Sequence, residues 1–88
     1  MPNQQPTIGE LYKANTVTDE AINTAVDAIL AGDEDEAFPI AVGWTLNLPA
    51  ALVMHPPSAK ALADVDQPDA FRRAMARSAV ILARPVKA

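Results

Sequence analysis

Two stretches of this chain repeat their apolar residues with a helical period, and a long run almost free of polar side chains separates them. In the first stretch Ile22, Val26 and Ile29 recur at steps of three and four, supported by Ala25 and Leu30, while Asn23, Thr24 and Asp27 fall opposite. Thr18 has the hydroxyl of an N-cap, and Asp19 and Glu20 suit the positive end of a helix dipole. Gly32 can take the left-handed conformation that ends helices. A helix over residues 19–31 is predicted. Upstream, Thr7-Ile8-Gly9-Glu10 has the spacing of a capping box, in which hydroxyl and carboxylate each satisfy the other residue's backbone N–H. It predicts a short helix to about Ala14 that buries Ile8, Leu11 and Tyr12.

The second periodic stretch covers residues 69–83. On a helical wheel Phe71, Met75, Ser78 and Leu82 form one stripe, flanked by Ala74, Ala79 and Ile81. Arg73, Arg77 and Arg84 gather on the other side, with Val80 among them. Asp66, ahead of Pro68 and Asp69, is placed to open this helix and Pro85 to stop it, although Ala79 to Leu82 could also turn extended. Ser58 is a candidate cap for a short helix to about Ala63.

Between the two lies a run without formal charge from Ala37 to Ala59, preceded by Asp33-Glu34-Asp35-Glu36 and closed by Lys60. It holds the single Trp (Trp44) and the single His (His55). Prolines at 39, 49, 56 and 57 forbid one continuous helix, because Pro fits only the first turn. Short helices near 39–47 and 48–55, with Asn47 capping the second, meet that rule. Strands over Ile40–Leu46 and Ala50–His55 are the competing picture. The abundance of Ala and scarcity of Gly favour helix; Val42, Trp44, Thr45 and Val53 favour strand.

The pattern therefore predicts a mostly α fold, a small bundle of short helices punctuated by proline. The alternative is α+β, with a short hairpin from residues 40–55. Residues 1–6 are expected to form a flexible arm and residues 7–88 one compact domain. The expected core is Ile22, Val26, Ile29, Trp44, Phe71, Met75 and Leu82.

Composition narrows the function. With 88 residues the chain has room for one modest core, burying roughly 60–65% of the unfolded surface. A chain this small and without disulfides often gains stability by pairing with a second copy. The lack of cysteine excludes disulfides and thiolate metal sites; with no basic-then-apolar leader, it suggests a cytoplasmic protein. Net charge is −4, unfavourable for non-specific contact with nucleic acid or anionic membranes. That charge is polarised. Residues 1–44 carry eight acids against Lys13, a balance of −7, whereas residues 45–88 carry six bases against three acids, a balance of +3.

No constellation of residues points to catalysis, a cofactor, a metal or a small-molecule ligand. His55 has no nucleophile or orienting acid beside it in a recognisable motif. Asp33 and Asp35 begin the alternation of a calcium loop, but Ala37 and Phe38 end it. Gly9, Gly32 and Gly43 are isolated, so no phosphate-cradling loop is present. The run from Ala37 to Ala59 has the length of a membrane span, yet Pro39, Asn47, Pro49, His55 and the Pro56-Pro57 pair oppose insertion. The Arg face is a candidate polyanion contact, but Asp64, Asp66 and Asp69 crowd the end a recognition helix would present.

The expected function is a non-catalytic protein-interaction module, a self-associating accessory or regulatory protein with a homodimer as the expected assembly. Phe38, Trp44, Met54, His55, Arg73, Arg77 and Arg84 are the candidate contact residues; Trp44 suits an interface hot spot as well as a core. A small nucleic-acid-associated regulator using the Arg-rich helix is the alternative, and a small enzyme or enzyme subunit comes third.

Overall fold

A computed structural model describes residues 6–87. The elements run α1 (Ile8–Lys13), α2 (Asp19–Leu30), β1 (Phe38–Ala41), β2 (Trp44–Leu46), α3 (Leu48–Val53), α4 (Pro56–Ala63), α5 (Asp69–Leu82) and β3 (Val86–Lys87). The architecture is mostly α with a small antiparallel sheet of order β1-β2-β3. All but the last residue of the arm expected over residues 1–6 lies outside the described residues.

Local chemistry explains the first two helices. The Glu10 N–H donates to Thr7 Oγ1 at 3.1 Å and the Thr7 N–H to Glu10 Oε1 at 3.0 Å, completing the capping box. Thr18 Oγ1 accepts from the Ala21 N–H at 3.1 Å at the start of α2. Both helices close with the same paired hydrogen bonds. After α2, Gly32 at φ +81° lets the Asp33 N–H reach the Ala28 carbonyl at 2.9 Å. After α1, Asn15 takes the same left-handed role at φ 63°, and the Thr16 N–H reaches the Leu11 carbonyl at 2.8 Å. Tyr12, expected in the core, is 37% exposed, because six residues of helix bury only the Ile8–Leu11 side.

The uncharged run follows neither competing picture whole: the strand expected over Ile40–Leu46 folds back on itself at Val42-Gly43, and the one expected over Ala50–His55 is helical from Leu48 to Val53. Its first half is a hairpin, not the helix favoured over 39–47: Phe38 pairs with Leu46, Pro39 with Thr45 and Ala41 with Trp44, with an irregularity between Pro39 and Ala41. Gly43 at φ +80° turns the chain beside a fully exposed Val42. A left-handed residue there breaks a helix, and Ile40, Trp44 and Thr45 suit a pleated, half-buried surface. The second half is helical. Asn47 Oδ1 caps α3 by accepting from the Ala50 N–H at 3.0 Å, with Pro49 in the first turn. In α4, Pro56 and Pro57 occupy the opening positions, where they remove two donors that would otherwise need caps. Ser58 therefore does not cap α4 as expected; it sits buried one turn inside.

Nor does Asp66 cap α5. Pro68 holds the N-cap position, and the Asp66 N–H instead donates to Asp64 Oδ1 at 3.0 Å in the preceding turn. The helix continues to Leu82 without turning extended, and Pro85 lies just beyond its end. From there the chain runs back across the fold. The Ala83 carbonyl accepts from the Ile8 N–H at 2.9 Å, Pro85 is buried, and Val86 and Lys87 pair with Thr45 and Trp44 as β3.

The orientation of α5 corrects the sequence reading most. Its buried residues are Ala76, Ala79 and Val80, not the Phe71–Met75–Leu82 stripe. Phe71 is 44% and Leu82 59% exposed, whereas Val80 is 0%. The physical reason is enclosure: α5 packs against α1, α2, α3 and α4, and small side chains let that many neighbours approach. Arg73 and Arg77 can then lie beside the buried face because α2 supplies their counter-charges. Arg73 Nη1 is 2.7 Å from Asp27 Oδ1, and Arg77 Nη2 is 3.2 Å from Asp19 Oδ1. Both pairs are solvent-exposed in part and contribute about 0–1 kcal/mol each. The core is completed by Ile8, Leu11, Val17, Ile22, Val26 and Ile29 from α1, α2 and the loop between them, with Ile40, Leu46 and Leu48 from the central segment. Trp44, also expected at the centre, is half-buried at its edge.

A candidate interaction cleft beside the end of α5

Residues from three elements meet where α5 ends. Leu46 leaves β2, Ala50, Ala51 and Met54 come from α3 and its cap, and Leu82 and Ala83 close the far wall. They enclose an open, largely apolar cleft of about 180 Å³, to which Asn47 and Arg84 add polar groups. The local rules above place these walls. The Asn47 cap starts α3 immediately after the strand, and the short α3 ends at Met54, whose side chain is 81% exposed. The inward rotation of Val80 leaves Leu82 on the outside. Val53, 73% exposed, extends the apolar surface next to Met54.

Of the candidate contact residues, Met54 and Arg84 share this cleft. The others separate into different environments. Phe38 and Trp44 are half-buried in the sheet, where the Lys87 ammonium sits 5.6 Å from the centroid of the Trp44 ring, in cation–π range. Arg73 and Arg77 belong to the seam between α2 and α5. Arg84 lies near enough to Glu10 to favour its carboxylate. Glu10 is held below its ordinary value of 4.5 first by the Thr7 backbone N–H and then by the Thr7 hydroxyl, with Arg84 and Lys13 adding smaller effects.

His55 is half-buried, and its Nδ1 is hydrogen-bonded to Ser58 Oγ, which also bonds the Met75 carbonyl. A carbonyl only accepts, so the hydroxyl proton goes to Met75 and His55 Nδ1–H donates to the serine oxygen. This chain of bonds fastens α4 to α5. A serine nucleophile needs its proton directed at a base and its oxygen open to substrate. Ser58, at 0% exposure and donating to a carbonyl, has neither.

The acidic cluster is also occupied with local bonding. Asp33 Oδ1 accepts from the Asp35 N–H at 3.1 Å, and Asp35 Oδ1 from the Ala37 N–H at 2.9 Å. Among the described residues no group of three or more His, Asp or Glu side chains is arranged to hold a metal ion, and no helix is long and apolar enough to cross a membrane. At the opposite end of α5, Arg72 donates through Nη2 to the Leu62 carbonyl at 3.0 Å, while its Nε is buried without a partner. Asp69 lines the same hollow and opposes an anion there.

Two surface residues, Phe71 and Leu82, carry the sequence signal of buried ones. Large apolar side chains at helical spacing signal burial and so point Leu82 and Phe71 to the core, whereas the structure exposes both. The signal that could have moved them outward is the run of small residues Ala76, Ala79 and Ala83 around Val80. Searches against protein-family models, curated proteins and solved structures find no match to this chain.

Proposed function

We propose that this chain is a non-catalytic protein-interaction module that self-associates, acting as an accessory or regulatory factor in the cytoplasm. One observation carries the reading: the exposed apolar residues Met54 and Leu82 wall an open apolar cleft, and Val53, next to Met54 in the chain, is exposed as well. Scattered exposed hydrophobics are ordinary on a protein surface, but several around a concave site mark places where another protein docks. The pairing of Arg73 and Arg77 with α2 acids supports this reading over nucleic-acid binding, since Asp27 and Asp19 offset the charge of the two arginines best spaced to follow a phosphate backbone and would face the phosphates with them. The committed proton of Ser58 likewise favours binding over hydrolysis.

The test is the solution mass over a concentration series by sedimentation, from about 1 µM to 1 mM, a span that includes the affinities of transient protein pairs. The mass should rise from 9.3 kDa toward twice that value. Leu82→Asp should hold the chain at the monomer mass. A wild-type chain that stays monomeric throughout would refute self-association.

A further inference from the structure

Resting on that reading, we infer that the partner at the cleft is the Phe71 side chain of a second copy, seated reciprocally across a two-fold axis at the middle of α5. The outward side of α5 carries Phe71, Ala74, Ser78 and Leu82 within a sector of about 80°, at about 100° per residue. Phe71, Ala74 and Leu82 are exposed and Ser78 is half-buried. None of the four bears a formal charge. Read from either end, the face runs large, small, small, large. This symmetry is what an isologous contact requires, because residue i of one copy meets residue j of the other and the reverse.

In an antiparallel pair centred between Ala76 and Arg77, Ala74 and Ser78 allow the helices to approach closely. Phe71 of each copy then lies level with Leu82 of the other, and so at the mouth of the other's cleft. Phe71 and Leu82 are about 17 Å apart along the helix, which keeps the two seats separate. The cleft, at about 180 Å³, has room for a phenyl ring; an apolar cavity of about 150 Å³ is enough to take benzene. One copy thus carries both the knob and the hole. Charge points the same way. Two chains of net charge −4 repel, and this uncharged face lets them meet without opposing acids.

The area sets the strength. A stable interface buries about 800 Å² per partner, about one-seventh of the 5537 Å² this chain exposes. One helix face with Val53 and Met54 falls short of that. The dimer is therefore of the weak, transient class.

The experiment uses sedimentation of the full chain, Phe71→Ala, Ala50→Trp (which fills the cleft) and an equimolar mixture of the two variants. Both sites are exposed, so circular dichroism should match the unmodified chain. Each variant alone should associate at least ten-fold more weakly, and the mixture should recover part of the loss, because one Phe71 then meets one open cleft. Because the chain has no cysteine, Ser78→Cys supplies a second readout. A short bis-maleimide should link Ser78→Cys into dimers near the axis and should not link Val42→Cys at the hairpin tip. Self-association unchanged in both variants, with no linkage at position 78, would overturn the reciprocal seat and leave self-association standing. A mixture no stronger than either variant alone would also overturn it. A wild-type chain that is monomeric at every concentration would remove both proposals.

Discussion

Helices α2 and α5 are both amphipathic, yet the large apolar residues of one are buried while those of the other are exposed at Phe71 and Leu82 and half-buried at Met75. In α2 the predicted residues Ile22, Ala25, Val26 and Ile29 are the buried ones. That helix packs against α5 and β1, so a single stripe of large side chains fills the space beneath it. Four helices surround α5, and their spacing leaves room for Ala76, Ala79 and Val80 instead of Phe71 and Leu82. Hydrophobic periodicity locates a buried face when a helix has one packed side. It fails when close approach from several sides selects for small volume, because packing density is conserved and side-chain size is not.

That contrast is sharpest at two residues of α5 two positions apart. Val80→Ala should lose about 1.5–3 kcal/mol through lost burial and a residual cavity, whereas Leu82→Ala should lose less than about 1 kcal/mol despite removing a larger side chain. Urea denaturation at a fixed low micromolar concentration, with the mass of each variant checked by sedimentation, measures both. Equal losses would return Leu82 to the core and break the comparison.

The flank of α5 gives the next effect. A Cβ added at Gly9 would lie 2.9 Å from Ile81 Cγ2 and 3.4 Å from the Ile81 carbonyl oxygen. Ile81 is β-branched and stiff, so α1 would have to shift. Gly9→Ala should therefore destabilise by about 1 kcal/mol, even though alanine is the better helix former. A stabilised variant in thermal melts would mean that α1 is not held against α5 as described.

The smallest effect concerns the capping box that starts α1. Because the folded Glu10 pKa is depressed, its contribution is complete above the ordinary value of 4.5 and is lost as pH falls below it, through the lowered folded value. Between about pH 5 and pH 3 the wild-type melting temperature should fall more steeply than that of Glu10→Gln. Parallel curves would show that the carboxylate does nothing for this helix.

Legibility in the sequence followed the range of the interaction. Thr7, Thr18, Asn47 and Gly32 declared their roles because a cap or a helix end is decided within four residues of chain. The hairpin was only half legible. Val42-Gly43 is a weak turn signal, and Ile40 to Leu46 is too short for periodicity to separate strand from helix. At the candidate site Met54 and Arg84 stand out in the sequence as contact residues, but the cleft they share does not. It arises from a strand end, a helix cap and a helix terminus that meet only in three dimensions.

Local sequence sets the capped starts of α1, α2 and α3, the Gly32 end of α2, the mostly helical character of the described chain and the burial of the Ile22–Ile29 stripe, because these depend on hydrogen bonds within a few residues and on one-sided amphipathicity. Tertiary structure alone decided the rotation of α5, the return of residues 83–87 to the sheet as β3, and the exposure of Phe71 and Leu82. Each depends on how closely distant elements can pack, and a side chain's own hydrophobicity does not encode that distance.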